Sequence, residues 1–238
     1  LKLVAVVVAT TVGFTIAGVA GFGGGIVALP ILVWVFGVRE AIPILSISQV
    51  LSTVSRVWLH RDGINWPVVR FFSLGALPSS IVGSLIFISI DTTILVRILG
   101  VMMLLFVVYP RLPIGREFNM KLWGFVPLGA GTGFGSAFLG IPGPFAAVFY
   151  LAYGLTASAY IGTSALGMGM IQVPKLIIFG SGDLITVRVL ALGIGLGAIA
   201  AVSAVLGRVI LRRVPEHVFP RIITAMLLIS GVVFLIRG

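Results

Sequence analysis

Gly21-Phe22-Gly23-Gly24-Gly25, the run GFGGG, sits between two apolar segments, and GIPGP (Gly140-Ile141-Pro142-Gly143-Pro144) sits likewise in the second half of the chain. Each run falls at a depth where a membrane helix would ordinarily pass straight through. Glycine turns the backbone without a Cβ clash and proline removes a backbone donor, so both runs read as helix breaks. A break in lipid leaves peptide groups unpaired, and such groups persist only where protein or a hydrated cavity covers them. Paired breaks in corresponding halves of a chain point to a ligand site near the bilayer midplane.

Composition places those breaks in a membrane. Of 238 residues, 59% are hydrophobic and 9% charged, with mean hydropathy +1.24. A soluble domain carries roughly 25% charged residues, so this chain cannot cover itself in water. Apolar runs recur along its length, many of them near the ~20 residues that a helix needs to span a bilayer. Strands of an outer-membrane barrel would alternate apolar and polar residues, and no such alternation is present. Absence of cysteine excludes disulfides, thiol chemistry and thiolate metal sites. The net charge of +10 does not indicate nucleic acid, because most Lys and Arg residues fall at segment ends, where membrane topology accounts for them. The chain opens at Leu1 rather than at methionine, so a few residues are expected ahead of it.

Hydrophobic segments are expected at 3–20, 26–37, 40–60, 67–88, 92–109, 121–139, 145–154, 157–180, 183–207 and 217–236. The segments at 26–37 and 145–154 are too short to cross at ~1.5 Å per residue. Each is read as one arm of a hairpin whose tip is the Gly-rich break. The halves also resemble one another. Gly18, Gly23 and Gly37 match Gly135, Gly140 and Gly154, and Ala41 and Ser48 match Ala157 and Ser164. Farther on, Arg70 and Gly75 match Arg188 and Gly193, and Arg97, Ile98, Met102 and Leu104 match Arg221, Ile222, Met226 and Leu228. Drift confined to loops argues for duplication. The expected fold is therefore an all-α polytopic membrane protein of two repeats, 1–115 and 116–238, each a Gly-broken hairpin plus three transmembrane helices. Five segments per repeat, an odd number, invert the second repeat relative to the first. Placing the loops near 61–66, 110–120 and 208–216 in the cytoplasm puts ten basic residues inside against six outside, Arg56 among the ten and Lys175 among the six.

No enzyme constellation is visible. His60 and His217 lie at segment ends without partners at metal spacing, so no metal and no cofactor are expected. All six carboxylates (Glu40, Asp62, Asp91, Glu117, Asp183 and Glu216) fall in or beside connections. An intramembrane carboxylate relay is hard to build from them, and an anion would meet little repulsion inside. On segment 40–60, Ser48, Gln49, Ser52, Ser55 and Arg56 share a face; on 157–180, Ser164, Gln172 and Lys175 do, with Thr163 adjacent. Hydroxyls, amides and a cation from each half could replace the water around an anionic oxygen cluster. Restarted helices after Gly23, Gly24 and Gly25 and after Gly140 would add main-chain donors. The alternative assigns the small polar residues to helix packing and has Arg56 and Lys175 snorkel outward.

The GxGGG break followed by Pro30, Gly162-Thr163-Ser164 in the second repeat, and Asp62-Gly63 with Trp66 together resemble the sulfite exporter TauE/SafE family of membrane permeases. GIPGP departs from the Gly-Gly-rich run that the pattern would place at the second break. The resemblance covers nearly the whole chain. It implies a secondary transporter of the bacterial inner membrane for sulfite, sulfonates or related organic anions. Partners are then a small anionic substrate and the lipid bilayer, with a homodimer admitted and nucleic acid excluded. An anion channel on the same architecture and a non-transporting membrane scaffold are the competing readings.

Overall fold

Hydrocarbon offers a peptide group no water, so each spanning segment must satisfy its backbone internally. The computed structural model describes residues 2–20, 24–108, 120–139, 143–210, 228 and 231–236, and among these the regular structure is helical throughout. The elements are α1 (Lys2–Ala20), α2 (Gly24–Phe36), α3 (Val38–Leu59), α4 (Trp66–Ser89), α5 (Thr92–Val108), α6 (Phe125–Leu139), α7 (Gly143–Ala152), α8 (Ala157–Ser181) and α9 (Val187–Ile210). Residues 231–236 are also helical, so much of the expected segment 217–236 lies outside the described residues. Among the described residues, four stretches are long and apolar enough to cross a membrane: Val38–Leu59, Trp66–Ser89, Ser158–Ser181 and Val187–Leu206.

Helix ends follow the local chemistry of the chain. Asn65 caps α4, its Oδ1 accepting from the Val68 N–H at 3.1 Å, and Thr156 caps α8 by accepting from the Ala159 N–H at 3.3 Å. Arg39 gathers the far end of α4: Nη1 donates to the Ile88 carbonyl at 3.0 Å, Nη2 to the Ile90 carbonyl, and Nε to Thr92 Oγ1. These carbonyls have lost their helical partners, and a cation there also suits the helix dipole. Gly37 (φ 77°) joins α2 to α3 and Gly154 (φ 90°) lies between α7 and α8. A left-handed backbone is adopted by glycine without strain, so these two corners explain two glycines that the sequence places at matching positions.

The four tryptophans, Trp34, Trp58, Trp66 and Trp123, are all exposed and all lie near helix ends, as an interfacial aromatic belt requires. Lys2 Nζ stands 5.6 Å from the Trp34 ring, which sets the start of α1 beside the end of α2. The first two helices therefore fold back on each other, with the GFGGG run between them.

Packing runs through small residues. A Cβ on Gly75, Gly129 or Gly133 would overlap a backbone carbonyl of the facing helix, so α4 and α6 touch main chain to main chain. Contacts pair Phe72 with Gly129 and Gly83 with Ala137, which makes these two helices parallel. The α3–α9 pair is also parallel, Ile47 facing Gly193 and Leu51 facing Gly197. So is α4–α8, where Asn65 meets Thr163 and Ser73 meets Met170. At the centre α3 and α8 run antiparallel: His60 lies by Ser158, Thr53 by Gly169 and Gln49 by Gln172.

Candidate functional site

Gln49 stands near the middle of α3, and its Oε1 accepts from Gln172 Nε2 at 2.6 Å. This bond ties the two central helices near mid-depth. Ser48 and Ser52 lie beside it on α3, 1% and 0% exposed. Ser48 Oγ reaches the Ile44 carbonyl at 2.9 Å and the Gly193 carbonyl of α9 at 3.0 Å. Among the described residues, Ser52 Oγ and Gln172 Oε1 are buried without a hydrogen-bond partner. Buried polar atoms are nearly always satisfied, so an orphan pair in one seam calls for a polar guest or a water.

The two sequence-derived cations do not snorkel; both are buried, Lys175 completely. Removing them from the sequence-based count leaves nine basic residues against five. Lys175 Nζ donates to the Ser136 carbonyl at 3.2 Å. Ser136 lies in the last described turn of α6, three residues before Leu139. Arg56 is held by the Ser52 carbonyl and Thr53 Oγ1 at 3.4 and 3.3 Å. Seven residues separate Arg56 from Gln49 and three separate Lys175 from Gln172. On antiparallel helices that places the cations on opposite sides of the glutamine pair, about 15 Å apart along the axes.

Gly24 and Gly25 open α2 and are buried; Gly23 and Gly140 lie outside the described residues. Gly24 packs on the middle of α1, where a Cβ would come within 2.7 Å of the Phe14 ring. From the Gly37 corner, the 13 residues of α2 rise about 20 Å. The same rise along α3 reaches Gln49–Leu51, so the restarted helix begins at the depth of the glutamine bond. Its described first turn holds no acidic residue.

Thr163 and Ser164 are buried but lie eight or nine residues from Gln172, about 13 Å along α8. Thr163 Oγ1 accepts the Asn65 N–H at 2.9 Å, and Ser164 Oγ donates to the Ile161 carbonyl at 3.3 Å. With His60 Nδ1 and Ser158 Oγ 2.9 Å apart, they form a second polar group that fastens the α3–α4 corner to the start of α8. The structure therefore divides the sequence-derived set. Ser48, Gln49, Ser52, Gln172 and, farther along, Lys175 line the seam at mid-depth, whereas Thr163, Ser164 and Arg56 lie toward the corner.

Tyr150 on α7 is absent from that set. It is 0% exposed, enclosed by Phe72, Phe125 and Tyr160 rings at 5.1–6.1 Å, and its hydroxyl has no partner among the described residues. Its sequence context, an apolar ten-residue hairpin arm, carries no signal of a hydroxyl left over. Only the aromatic packing around it reveals that.

Interrupted apolar helices around a buried polar seam define a multi-pass α-helical membrane protein, with no group of three or more His, Cys, Asp or Glu residues placed to hold a metal among the described residues. The model of the sulfite exporter TauE/SafE family matches residues 5–234, and the chain belongs to that family of membrane transporters, which are not enzymes. No curated protein and no solved structure matches it.

Proposed function

We propose that this chain is a secondary transporter that moves a small anion, sulfite, a sulfonate or a related sulfur-containing organic anion, across the inner membrane of a bacterium. The observation that carries this reading is the mid-depth seam. Two glutamines, two serines and a buried lysine line it at about the depth where α2 begins, and all four described carboxylates lie at the helix ends and connections. Such a lining offers N–H, O–H and ammonium donors to negative oxygen and presents no described carboxylate against it. A monoanion or dianion with three oxygens on one sulfur suits donors that approach from several directions.

The same reading takes the chain as two inverted repeats, 1–115 and 116–238. Its support is the exchange in the packing: α3 lies parallel to α9 as α8 lies parallel to α4, α1 packs on α9 as α6 packs on α4, and α3 and α8 meet antiparallel at the centre. Gly37 and Gly154 make equivalent corners. Rocking one group of helices against the other about the glutamine seam would open the site to each side in turn.

The test is counterflow. Purified protein in liposomes preloaded with unlabelled sulfite or ethanesulfonate should take up the labelled anion faster than empty liposomes do. Flux that neither saturates nor responds to the trans anion would replace the carrier with a pore, and no flux across an anion panel would remove the reading.

A further inference from the structure

Lys175 is fully buried, and its one hydrogen bond among the described residues is to a carbonyl. Three of the four described carboxylates are exposed: Asp91, Asp183 and Asp62, which pairs with Arg61. The fourth, Glu40, stands 3.8 Å from Arg188 at the start of α9. The elements packed on α8 bring no described negative side chain into the interior beside Lys175. From α3 come Arg39, engaged with α4 and Thr92, Glu40 and Arg56, with His60 just past its end; from α4 comes Arg70, which is exposed. From α7 comes Tyr150, with Tyr153 just past its end, from the 61–63 turn Arg61 and Asp62, and α6 contributes no titratable side chain. α8 itself adds Tyr160.

An ammonium in low dielectric without a counter-charge carries a heavy solvation penalty, whereas the neutral amine can keep the same bond to the Ser136 carbonyl. Arg56 cannot give up its proton, so it supplies the same charge whether or not a guest is present. Lysine can. We propose that Lys175 is the proton site of the transporter: a proton joins Nζ when the anion enters the seam and leaves when the anion leaves, so that one proton travels with each monoanion. The inference rests on the anion-carrier reading above and adds the coupling ion to it. In charge terms the amine lone pair takes H⁺, the resulting ammonium neutralises the anion beside it, and no other bond changes. The translocated unit is then neutral overall, which a membrane interior tolerates far better than a bare anion. The side to which the seam is open supplies the proton, and the opposite side receives it.

Ethanesulfonate is the probe, because its charge does not change near neutral pH and a pH gradient cannot redistribute it by itself. With the membrane potential clamped at zero by valinomycin and equal potassium, an acid-outside gradient should drive accumulation of labelled ethanesulfonate, approaching about tenfold per pH unit for one-to-one coupling. Whatever counterflow Lys175→Arg retains should no longer respond to the gradient. Lys175→Met, which fills the same space without a charge, should weaken ethanesulfonate binding and lose the response as well. Independently of either variant, the wild-type protein in weakly buffered detergent at pH 8 should take up one proton per ethanesulfonate bound. Counterflow that ignores the pH gradient and follows the membrane potential would overturn the coupling and leave the carrier standing. A gradient response retained in Lys175→Arg, or binding without proton uptake, would overturn the role of Lys175. Absence of counterflow would remove both inferences together.

Discussion

Replacing Gly193 with alanine is the sharpest test of how the polar face of α3 is held in place. A Cβ built at Gly193 lies 2.7 Å from Ile47 Cβ, 2.8 Å from Cγ2 and 3.0 Å from Cδ1, whereas ordinary contact begins at 3.4 Å. Ile47 is buried and β-branched, so its side chain cannot swing aside, and α3 and α9 must separate by about 0.7 Å. Gly195, two residues along the same helix, has nothing within 4 Å of its Cβ position and serves as the control. Both substitutions gain the same helix propensity, about 1 kcal/mol over glycine, so that contribution cancels in the comparison. Overpacking a closely fitted contact costs about 1–3 kcal/mol. At 2–4 °C per kcal/mol for a chain of this length, Gly193→Ala should unfold roughly 2–12 °C below Gly195→Ala. The assay is thermal unfolding of the detergent-solubilised variants followed by tryptophan fluorescence and by loss of the monodisperse chromatographic peak. The displacement also acts on Ser48, whose hydroxyl reaches the Gly193 carbonyl, and so on its neighbour Gln49. Counterflow should therefore fall in Gly193→Ala and stay unchanged in Gly195→Ala. Equal unfolding temperatures for the two variants would refute the close α3–α9 packing and the argument built on it.

Tyr150→Phe removes a buried hydroxyl without a described partner, so its unfolding temperature should hold or rise. If that hydroxyl donates to the anion, counterflow should drop about ten- to a hundredfold, the loss of one charge-assisted hydrogen bond of about 1.5–3 kcal/mol. Thr163→Val keeps the shape of the side chain and leaves the Asn65 N–H unbonded, which should cost about 1–3 kcal/mol of stability while the apparent affinity for the anion, measured in counterflow, stays the same. Gln172→Leu breaks the 2.6 Å bond to Gln49, so affinity should weaken in Gln172→Leu and in Gln49→Leu alike, and the double variant should lose less than the two single losses combined. Asp91 accepts from the Thr93 N–H, and this bond, the largest cause, holds its carboxyl below the usual aspartate value of 3.8. A depressed folded-state value means that the capping contribution is present above the unfolded pKa and fades as pH falls through the folded one. Acid should therefore loosen the start of α5 in the wild type, and Asp91→Asn should remove that pH dependence, as read by hydrogen exchange across residues 92–96.

The helix plan was legible because the signals that wrote it are local. Gly37 and Asp91 lie at corners between apolar segments, and the described helices start and stop within a few residues of those segments; the caps at Asn65 and Thr156 came only with the structure. α2 is described from Gly24 and α7 from Gly143, against expected restarts near Ile26 and Phe145, while residues 21–23 and 140–142 of the two breaks lie outside the described residues. The site was legible only in part. A shared face on one helix identifies polar residues but not the depth at which a second helix crosses it. Gln49 and Gln172 meet because α3 and α8 cross antiparallel, whereas Thr163 and Ser164, on the same helix as Gln172, lie too far along it and serve the α3–α4 corner. Arg56 and Lys175 could each have reached for the membrane surface by sequence alone; long-range packing against α6 and neighbouring α3 groups buries them. Tyr150 was invisible because an unpartnered hydroxyl is a property of its surroundings.

Selenite carries the shape and charge of sulfite with a strong anomalous scatterer at its centre, so diffraction from crystals soaked in it locates an anion without reference to transport. The expected result is an anomalous peak at mid-depth between α3 and α8, within hydrogen-bonding reach of Gln172 and the first turn of α2. A peak confined to the helix-end arginines, with the seam between Ser52, Gln172 and Lys175 dry and filled by side chains, would contradict the claim that this interior is built to hold an anion.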